Sequence, residues 1–385
     1  MTVEFDIDQD EKREVIKVMG VGGGGGNAIN RMVSFGVKGV DLIALNTDGQ
    51  ALNHSQADIR VVLGPKLTKE RGAGGNPEVG EHAAEESRDD IAALIKGTHM
   101  LFIAAGMGGG TGTGAAPVIA EIAKEEGVLT VGIVTRPFMF EGKKRARLAE
   151  EGITKLRENV DALITIPNEK LLQIVERNTT MIDAFMKADE VLMQGVQGIT
   201  DLVVSHGEVN MDFADVTAVM KDGGEAVMGI GEANGDKRAI QAAQAAISSP
   251  MLEVPVEGAK KVLLNITSGP SITLQEVGEA INLIKEAAGS EVDIYWGQAV
   301  DEALGDFVRI TVIATDFGTS RNVTTGKSQP VSRSIPSGGA VEIELEPVFN
   351  RDTRNEIPSF RTVNDTVGRN ADLPDFLRKT FSDEP

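Results

Sequence analysis

Two glycine-rich stretches have the residue types and spacing that could hold a phosphate group. The first, "GVGGGGG" at residues 20–26, contains the spacing Gly-x-Gly-x-x-Gly, and the second, "AGMGGGTGTGAAP" at residues 105–117, places Thr111 and Thr113 among its glycines. Because glycine has no Cβ, backbone N–H groups in such loops can approach phosphate oxygens closely. Each stretch therefore predicts a loop that binds an anionic ligand.

The first loop alone leaves three interpretations open. Asp48 follows it by about twenty residues, which matches the dinucleotide-binding pattern in which an acid binds a ribose hydroxyl. A nicotinamide-dependent oxidoreductase, another nucleotide-binding protein and a plain tight turn all fit this pattern. The second loop favours a nucleoside triphosphate, because a nicotinamide enzyme needs one phosphate loop and no acid for hydride transfer is evident.

Neither loop is a P-loop. The one Gly-Lys-Ser, at residues 326–328, lies far from both loops and has Arg321 where the motif needs its first glycine. No lysine then contacts the phosphates from the loop, and a helix N-terminus contributes only about 0.3–1 kcal/mol for an anion at an exposed site. We therefore expect Mg²⁺ to accompany the nucleotide.

Both loops follow buried apolar runs and precede helical patterns. Five such runs are evident: "EVIKVMGV", "VDLIALNTD", "THMLFIAAG", "VLTVGIVTRP" and "VDALITIPN". Continuous Val/Ile/Leu runs that alternate with helices predict a Rossmann-like α/β domain, a parallel sheet with helices on both faces. The two loops would then lie at one edge of the sheet, where two helix N-termini form one anion pocket.

A long helix and a second domain follow. Phe185, Leu192 and Val196 belong to one apolar stripe at helical spacing, which predicts a helix from about Thr179 to Val204, and the strands and helix after it predict an α+β domain. The expected organisation is an N-terminal extension (1–14), a nucleotide-binding domain (15–178), a central helix (179–206), a smaller α+β domain (207–317), a disordered linker (318–369) and a partner-binding peptide (370–382).

Composition narrows the function classes. The net charge of -20 disfavours binding to nucleic acid or anionic lipid. The absence of cysteine excludes disulfides, a thiolate nucleophile and cysteine-ligated zinc, and the four histidines show no metal spacing. No apolar run reaches the roughly 20 residues that span a bilayer. We expect a cytoplasmic protein without direct membrane insertion.

Longer motifs resemble one protein family. The run "GGGTGTG" is similar to the signature loop of the tubulin superfamily, and "IKVMGVGGGGGNAINRM", "NTDGQAL", "GAGGNPEVG", "VTRPFMFEGKKR" and "NMDFADV" resemble FtsZ, the bacterial cell-division GTPase family. The resemblance covers the chain from about Val15 to Phe317. It implies a tubulin/FtsZ-type GTPase domain, hydrolysis of GTP to GDP, and head-to-tail filaments that form the ring at the mid-cell division septum.

The resemblance also implies a set of nucleotide-binding residues. The phosphates would lie between the two glycine loops, the loop at residues 72–75 would sense the terminal phosphate, and three further residues would lie near the ribose and the rim. The full set is Gly23, Gly24, Gly25, Gly26, Asn27, Gly72, Ala73, Gly74, Gly75, Gly110, Thr111, Gly112, Glu141, Arg145, Asn168, Phe185 and Asp189.

Two members of this set would bind the base. Phe185 and Asp189 are four residues apart, so they share a helix face. The ring can stack on a purine, and the carboxylate can accept from both N1–H and N2–H₂ of guanine, a pair of donors that adenine lacks. Asp189 would therefore select guanine.

The residues for hydrolysis are expected in "EVNMDFADV". Asp212 and Asp215 are three apart and could orient a water, although Asn210 or Asp212 could also cap the following helix. The resemblance implies that Asn210, Asp212 and Asp215 enter the nucleotide site of the neighbouring subunit. A nucleotide-binding polymer with little hydrolysis is the alternative in which these three residues are not catalytic.

The last motif is a partner peptide. The segment "DLPDFLRK" resembles the C-terminal peptide of the family, whose partners are FtsA-like membrane anchors and other division regulators. Its predicted contact residues are Asp372, Leu373, Pro374, Phe376, Leu377 and Arg378. The chain then ends in "SDEP" instead of the basic cluster of many family members, which argues against contact of these residues with acidic lipid.

Overall fold

The computed structural model describes residues 14–173, 179–204, 209 and 211–318. The predicted partner peptide, all but the first residue of the predicted linker, and all but the last residue of the predicted N-terminal extension lie outside these residues. The strands of the described part are β1 (Ile16–Val21), β2 (Asp41–Asn46), β3 (Ile59–Val62), β4 (Met100–Gly106), β5 (Leu129–Arg136), β6 (Ala162–Pro167), β7 (Gly224–Ala233), β8 (Lys261–Ser268), β9 (Asp293–Val300) and β10 (Val308–Thr315).

The α-helices are α1 (Gly22–Phe35), α2 (Gly49–Asn53), α3 (Pro65–Thr68), α4 (Pro77–Glu86), α5 (Arg88–Ile95), α6 (Thr111–Glu125), α7 (Lys143–Arg157), α8 (Asn168–Leu171), α9 (Met181–Val204), α10 (Phe213–Met220), α11 (Arg238–Ile247) and α12 (Leu274–Ala288). Two 3-10 helices, Met139–Glu141 and Glu302–Leu304, complete the described elements.

All ten strands belong to one continuous sheet in the order β3-β2-β1-β4-β5-β6-β7-β10-β8-β9. The first six strands are parallel, and β7 joins them in parallel to β6 through the pair Ala162↔Gly224. β10 is antiparallel to both β7 and β8. The predicted parallel α/β sheet followed by a smaller α+β unit is confirmed, with the addition that the two share one sheet.

The central helix α9 packs closely against both halves of this sheet. A Cβ added at Gly195 would lie 3.2 Å from Ile133 of β5, and one added at Gly198 would lie 2.9 Å from Thr311 of β10. These two glycines therefore let the helix contact both units. No helix in the described residues has the length and apolar character that a membrane span requires.

The sequence analysis did not single out several elements, among them β3, β7 and α11. The β7 sequence "GEAVMGIGEA" has few large apolar residues. Two of its glycines occupy positions at which a side chain would collide with α11. A Cβ at Gly229 would lie 2.1 Å from the carbonyl oxygen of Ala246, and one at Gly231 would lie 2.1 Å from that of Ala242. The backbone of α11 thus lies directly on β7, which no apolar periodicity indicates.

Candidate nucleotide site

The two glycine loops meet at the carboxyl edge of the parallel strands. α1 begins at Gly22, which has a φ of 73°, and a Cβ there would lie only 2.8 Å from the backbone nitrogen of Gly112 in α6. Among the described residues, neither helix has a side-chain cap or an acidic residue in its first turn. The first-turn N–H groups of both helices are therefore available to one anionic ligand, as the sequence predicts.

A cleft of about 340 Å³ opens at this junction. It is lined from the predicted set by Gly23, Gly24, Asn27, Gly110, Thr111, Gly112, Glu141, Arg145, Asn168, Phe185 and Asp189. The sequence analysis did not assign the other lining residues, which are Gly106, Met107, Gly109, Thr135, Pro137, Ala188 and Leu192. A signal for some of them was available, because Gly106 and Thr135 stand at the carboxyl ends of β4 and β5.

Of the predicted residues, Gly25 and Gly26 of the first glycine loop and the whole loop at residues 72–75 lie outside the lining of this cleft. Gly25 is buried, and a Cβ there would lie 2.3 Å from the carbonyl oxygen of Ala104, so this glycine lets α1 approach β4. Gly26 has no atom within 4 Å of an added Cβ. Sequence reasoning could not separate these two from the glycines that face the cleft.

The predicted phosphate-sensing loop, residues 72–75, lies behind the second glycine loop. Ala73 is buried, and a Cβ added at Gly110 would lie 2.8 Å from the Cβ of Ala73. The φ angles of Gly72, Gly74 and Gly75 are 84°, 59° and 73°, a region that favours glycine. A movement of this loop would therefore press on the loop that borders the cleft.

The two threonines of the second glycine loop have separate tasks. The Thr111 hydroxyl lies 2.7 Å from the hydroxyl of Thr47, and Thr111 lines the cleft. The Thr113 hydroxyl instead accepts a hydrogen bond of 2.8 Å from the backbone N–H of Gly108. Thr113 therefore fixes the loop from within, whereas Thr111 borders the cleft.

The far end of the cleft is formed by α9 and an aromatic cluster. Phe185 contacts Phe138 edge to face, with ring centroids 5.4 Å apart, and still exposes 37% of its surface. Asp189 lies one turn further along the same face of α9. Burial raises the pKa of Asp189 to about 7, and the opposing charge of Arg31 lowers it. An apolar ring and a partly desolvated carboxylate thus stand side by side.

Polar groups line the cleft between these two ends. Glu141 forms an ion pair with Arg145 and accepts a hydrogen bond of 2.9 Å from the backbone N–H of Phe138. Asn168 is 4% exposed, and its Oδ1 has no hydrogen-bond partner within the described part of the chain. A buried amide oxygen without a partner is uncommon and fits a site for a ligand hydroxyl.

Asp48, the acid of the dinucleotide interpretation, has another task. Its carboxylate caps α2 by accepting from the backbone N–H groups of Gln50 at 2.9 Å and Ala51 at 3.3 Å. Asp48 is not among the residues that line the cleft. Its spacing from the first glycine loop is therefore explained by helix capping.

The two described acids of the predicted hydrolysis loop lie at the opposite edge of the sheet. Asp212 caps α10 and accepts from the backbone N–H of Asp215 at 2.8 Å. Phe213, beside it, contacts the ring of His99 immediately before β4, and shares a pocket with Leu129, the first residue of β5. Asn210 lies outside the described residues. The predicted cap is thus present, at the amino ends of strands whose carboxyl ends border the cleft.

Two family models match the chain. The model for the GTPase domain of the Tubulin/FtsZ family matches residues 15–176, and the model for the C-terminal domain of the FtsZ family matches residues 224–318. The chain belongs to the FtsZ family. The resemblance inferred from the motifs is confirmed, and with it the FtsZ-type two-domain fold.

Solved structures agree with this assignment. An empty FtsZ dimer from M. jannaschii is 44% identical, with a TM-score of 0.76 over 79% of this chain and 88% of that chain. A point mutant of the same FtsZ gives a TM-score of 0.77 at 44% identity, over 79% and 92%. CetZ2 from Haloferax volcanii, in a GTPγS-bound protofilament, shares the fold at 21% identity and a TM-score of 0.68, over 78% and 93%. Membership of the FtsZ family makes the chain a guanine-nucleotide-binding GTPase.

Proposed function

We propose that this chain binds GTP in the cleft and hydrolyses it to GDP when a second copy, stacked head to tail, contributes Asp212 and Asp215. The observation that carries this proposal is the position of the two groups at opposite edges of one sheet. β5 alone has eight residues, which at about 3.3 Å each separates the edges by roughly 26 Å. Asp212 cannot reach the cleft of its own chain over that distance.

Within the cleft, the two helix N-termini would bind the phosphates through Gly23, Gly24, Asn27 and the stretch 110–112. The loop at residues 72–75 would respond to the terminal phosphate through its contact with Gly110. Glu141, Arg145 and Asn168 would bind the sugar and its surroundings. We assign Gly25 to packing and leave Gly26 as a predicted contact that remains to be tested.

The base would lie against Phe185 and Asp189. An ionised Asp189 accepts two hydrogen bonds from guanine, and adenine lacks that donor pair. The edge-to-face contact with Phe138 fixes the orientation of the Phe185 ring at this end of the cleft. Specificity for guanine would therefore come from a carboxylate whose position is set by helix α9.

Mg²⁺ fits this site as a companion of the triphosphate. The described residues contain no group of three His, Asp or Glu side chains that could hold a metal by themselves. Mg²⁺ usually keeps several waters and binds through substrate phosphates with one or two carboxylates. When bound, the ion would neutralise phosphate charge that Arg145, already paired with Glu141, offsets only in part.

The reacting water would be oriented by the neighbouring subunit. Asp212 and Asp215, together with Asn210, supply acceptors that can hold and deprotonate a water. Such a contact joins two different surfaces, and if it does not close into a ring it builds a filament. The M. jannaschii FtsZ structure is described as a dimer, which supports self-association.

An exposed apolar surface beside the cleft also supports a covering partner. Met139, Phe140, Met181 and Ile182 are 76%, 58%, 65% and 70% exposed, and they belong to the 3-10 helix and the first turn of α9 that flank Phe185. A group of large exposed apolar residues at one face is typical of an interaction site. A second copy of the chain would bury it.

In the cell, such filaments would form the ring at the division site in the cytoplasm. The peptide at residues 370–382 would bind FtsA-like anchors or other regulators.

One observation favours the alternative of a polymer with little hydrolysis: Asp212 already has a structural role as the cap of α10. Rate measurements decide between the two.

The deciding experiment is the GTPase rate per chain as a function of protein concentration, with Mg²⁺ and GTP in excess. A site completed between subunits predicts a rate near zero below a threshold concentration and a steep rise above it. A rate per chain that stays constant down to the lowest concentration would contradict the two-subunit site. A negligible rate at every concentration, with filaments seen by sedimentation, would favour the alternative.

A further inference from the structure

One glycine of the second domain lies against the chain that leaves the central helix. Gly297 is buried in β9. A Cβ added there would lie 2.8 Å from Cδ2 of Leu202, 3.3 Å from the carbonyl oxygen of Val209 and 3.4 Å from Cγ of Met211. Leu202 belongs to the last turn of α9, and Val209 and Met211, hereafter called the connection, are the two described residues between that helix and Asp212.

The same connection is hydrogen-bonded to β9. The backbone N–H of Gln298 donates to the carbonyl oxygen of Val209 at 2.9 Å, in an isolated antiparallel bridge. β9 is the last strand of the sheet, so this bridge uses its open edge. Gly297 is in register with Asn265 of β8, whose Nδ2 donates to the carbonyl oxygen of Gly198 in α9 at 3.2 Å. The adjacent strands β8 and β9 thus bind α9 and Val209 at neighbouring positions of the sheet.

The residues on either side of this contact are fixed by burial. Leu202 is 3% exposed and Met211 is 5% exposed, and both belong to the same hydrophobic core. Asp212 follows Met211 directly and is held from its other side by the cap on α10. The location of Asp212 therefore depends on how closely the connection lies on β9.

We propose that Gly297 is a positioning residue for GTP hydrolysis. Because it has no side chain, the connection lies flat on β9 and presents Asp212 at the position where the neighbouring subunit needs it. This inference rests on the proposed function, in which Asp212 acts on the nucleotide of the next chain. Gly297 itself touches neither the nucleotide nor the reacting water.

The first test is Gly297→Ala. The Leu202 Cδ2 can rotate away from the added methyl, whereas the Val209 carbonyl oxygen must move by a few tenths of an ångström. Misplacement of a catalytic group by about 1 Å can lower a rate by 10²-fold. We therefore expect kcat to fall by about 3–10-fold, while GTP affinity is unchanged because the cleft lies at the other edge of the sheet. The matched control is Gly278→Ala, since a Cβ at Gly278 in α12 meets no atom within 4 Å.

Mixed assemblies separate positioning of the loop from a general defect. Trace wild type in excess Asp212→Ala can hydrolyse only where its own loop enters the cleft of a variant chain. Trace Gly297→Ala in the same excess should give the reduced rate. In the reverse arm, Asp212→Ala and the double variant Asp212→Ala/Gly297→Ala are each added in trace to excess wild type, where they contribute only working clefts. These two should then behave alike.

Each outcome has a separate meaning. A trace Gly297→Ala rate equal to that of trace wild type would overturn the inference, and so would a double variant that inhibits more than Asp212→Ala alone. If trace wild type shows no hydrolysis in excess Asp212→Ala, the two-subunit site itself fails, in an arm that contains no change at Gly297.

A second variant covers the case in which Gly297→Ala folds poorly. Gln298→Pro removes the N–H that donates to Val209 without adding bulk at Gly297, and proline is tolerated on an edge strand. It should reduce hydrolysis in the trace assay in the same direction. A folded Gln298→Pro chain with the wild-type rate would show that the bridge does not position Asp212.

Discussion

The two ends of the parallel sheet are built in different ways. At the carboxyl edge, backbone N–H groups, Asn168 and Asp189 converge on one cleft within a single chain. At the amino edge, the Asp212 carboxylate accepts from the backbone N–H of Asp215 in a helix cap and lines an open pocket together with Lys221 and Lys261. The first edge gathers groups that can hold a ligand within one chain, whereas the second edge leaves Asp212 exposed at the surface.

This difference teaches how hydrolysis can be tied to assembly. A chain that bound GTP and carried the hydrolytic carboxylates at the same edge would turn over nucleotide as a monomer. Under the proposed function, placing them at opposite ends of strands such as β5 would make turnover conditional on a neighbour. The rigid sheet between the two edges then serves as a spacer that keeps both surfaces in fixed relation.

The largest expected effect is at the amino edge. Asp212→Asn should lower GTP hydrolysis by at least about 100-fold, because an amide cannot act as a base for water. Asparagine is as good an N-cap as aspartate, so the stability of α10 should be retained. GTP affinity, measured by equilibrium titration, should match wild type.

The matched variant is Asp212→Ala, which removes both functions. It should lose hydrolysis to the same extent and also lower the free energy of unfolding by about 1 kcal/mol through loss of the cap. If Asp212→Asn keeps the wild-type rate while Asp212→Ala loses it, the residue acts only as a cap, and the comparison between the two edges fails.

The second prediction concerns the carboxyl edge. Gly22→Ala forces a φ of 73° on a residue with a Cβ and places that Cβ 2.8 Å from the Gly112 nitrogen. The left-handed backbone costs about 1–2 kcal/mol for a residue with a Cβ, and the contact with Gly112 would be relieved by separating the two helix N-termini. Nucleotide affinity should fall about tenfold or more.

The control for this variant is Gly26→Ala, in the same loop but with free space around the added methyl. It should leave affinity unchanged and be neutral or slightly stabilising, because alanine favours helix over glycine. Equal loss of affinity in both variants would instead place Gly26 at the phosphates, as the sequence analysis expected.

How far the site follows from sequence can be seen in these glycines. Two glycine loops after parallel strands must reach one edge, so their meeting at Gly22 and Gly112 was predictable from topology. Which glycines face the ligand was not, because Gly25 and Gly23 look alike in sequence and differ only in whether Ala104 stands behind them. Likewise β7 was missed, since its glycines serve close packing with α11.

The position of the hydrolysis loop was predictable only through family resemblance. Nothing in "NMDFADV" states at which edge of the sheet it lies. That follows from β7, which starts directly after α10 and pairs in parallel with β6, so that the chain must first return to the amino edge. Without β7, the sequence could not place Asp212 relative to the cleft.

The third prediction is a pH dependence of binding. Only ionised Asp189 accepts both donors of guanine, and burial raises the pKa of this residue in the free protein to about 7. Guanine stabilises the charged form and so lowers the pKa in the complex. GDP affinity should therefore be constant above pH 7 and weaken by up to about tenfold per pH unit below it, until the pKa of the complex is reached.

Titration calorimetry with GDP between pH 8 and 5.5 measures this slope. Asp189→Asn is the control, because its amide does not titrate in this range, and any protonation of the phosphates affects both proteins equally. The variant should bind more weakly at pH 8 and lack the additional slope. A parallel pH dependence in both proteins would show that Asp189 does not bind the base.

The smallest effect is expected at Asp48, which lies at the carboxyl edge but belongs to its scaffold. Asp48→Asn should keep GTP affinity within about twofold, because asparagine caps α2 as well as aspartate does. Asp48→Ala should lower the free energy of unfolding by about 1 kcal/mol and again leave affinity nearly unchanged. If Asp48→Asn weakened binding tenfold while the thermal midpoint stayed constant, the carboxylate would be contacting the nucleotide after all. Asp48 would then belong to the ligand-binding groups of the carboxyl edge and not to its scaffold.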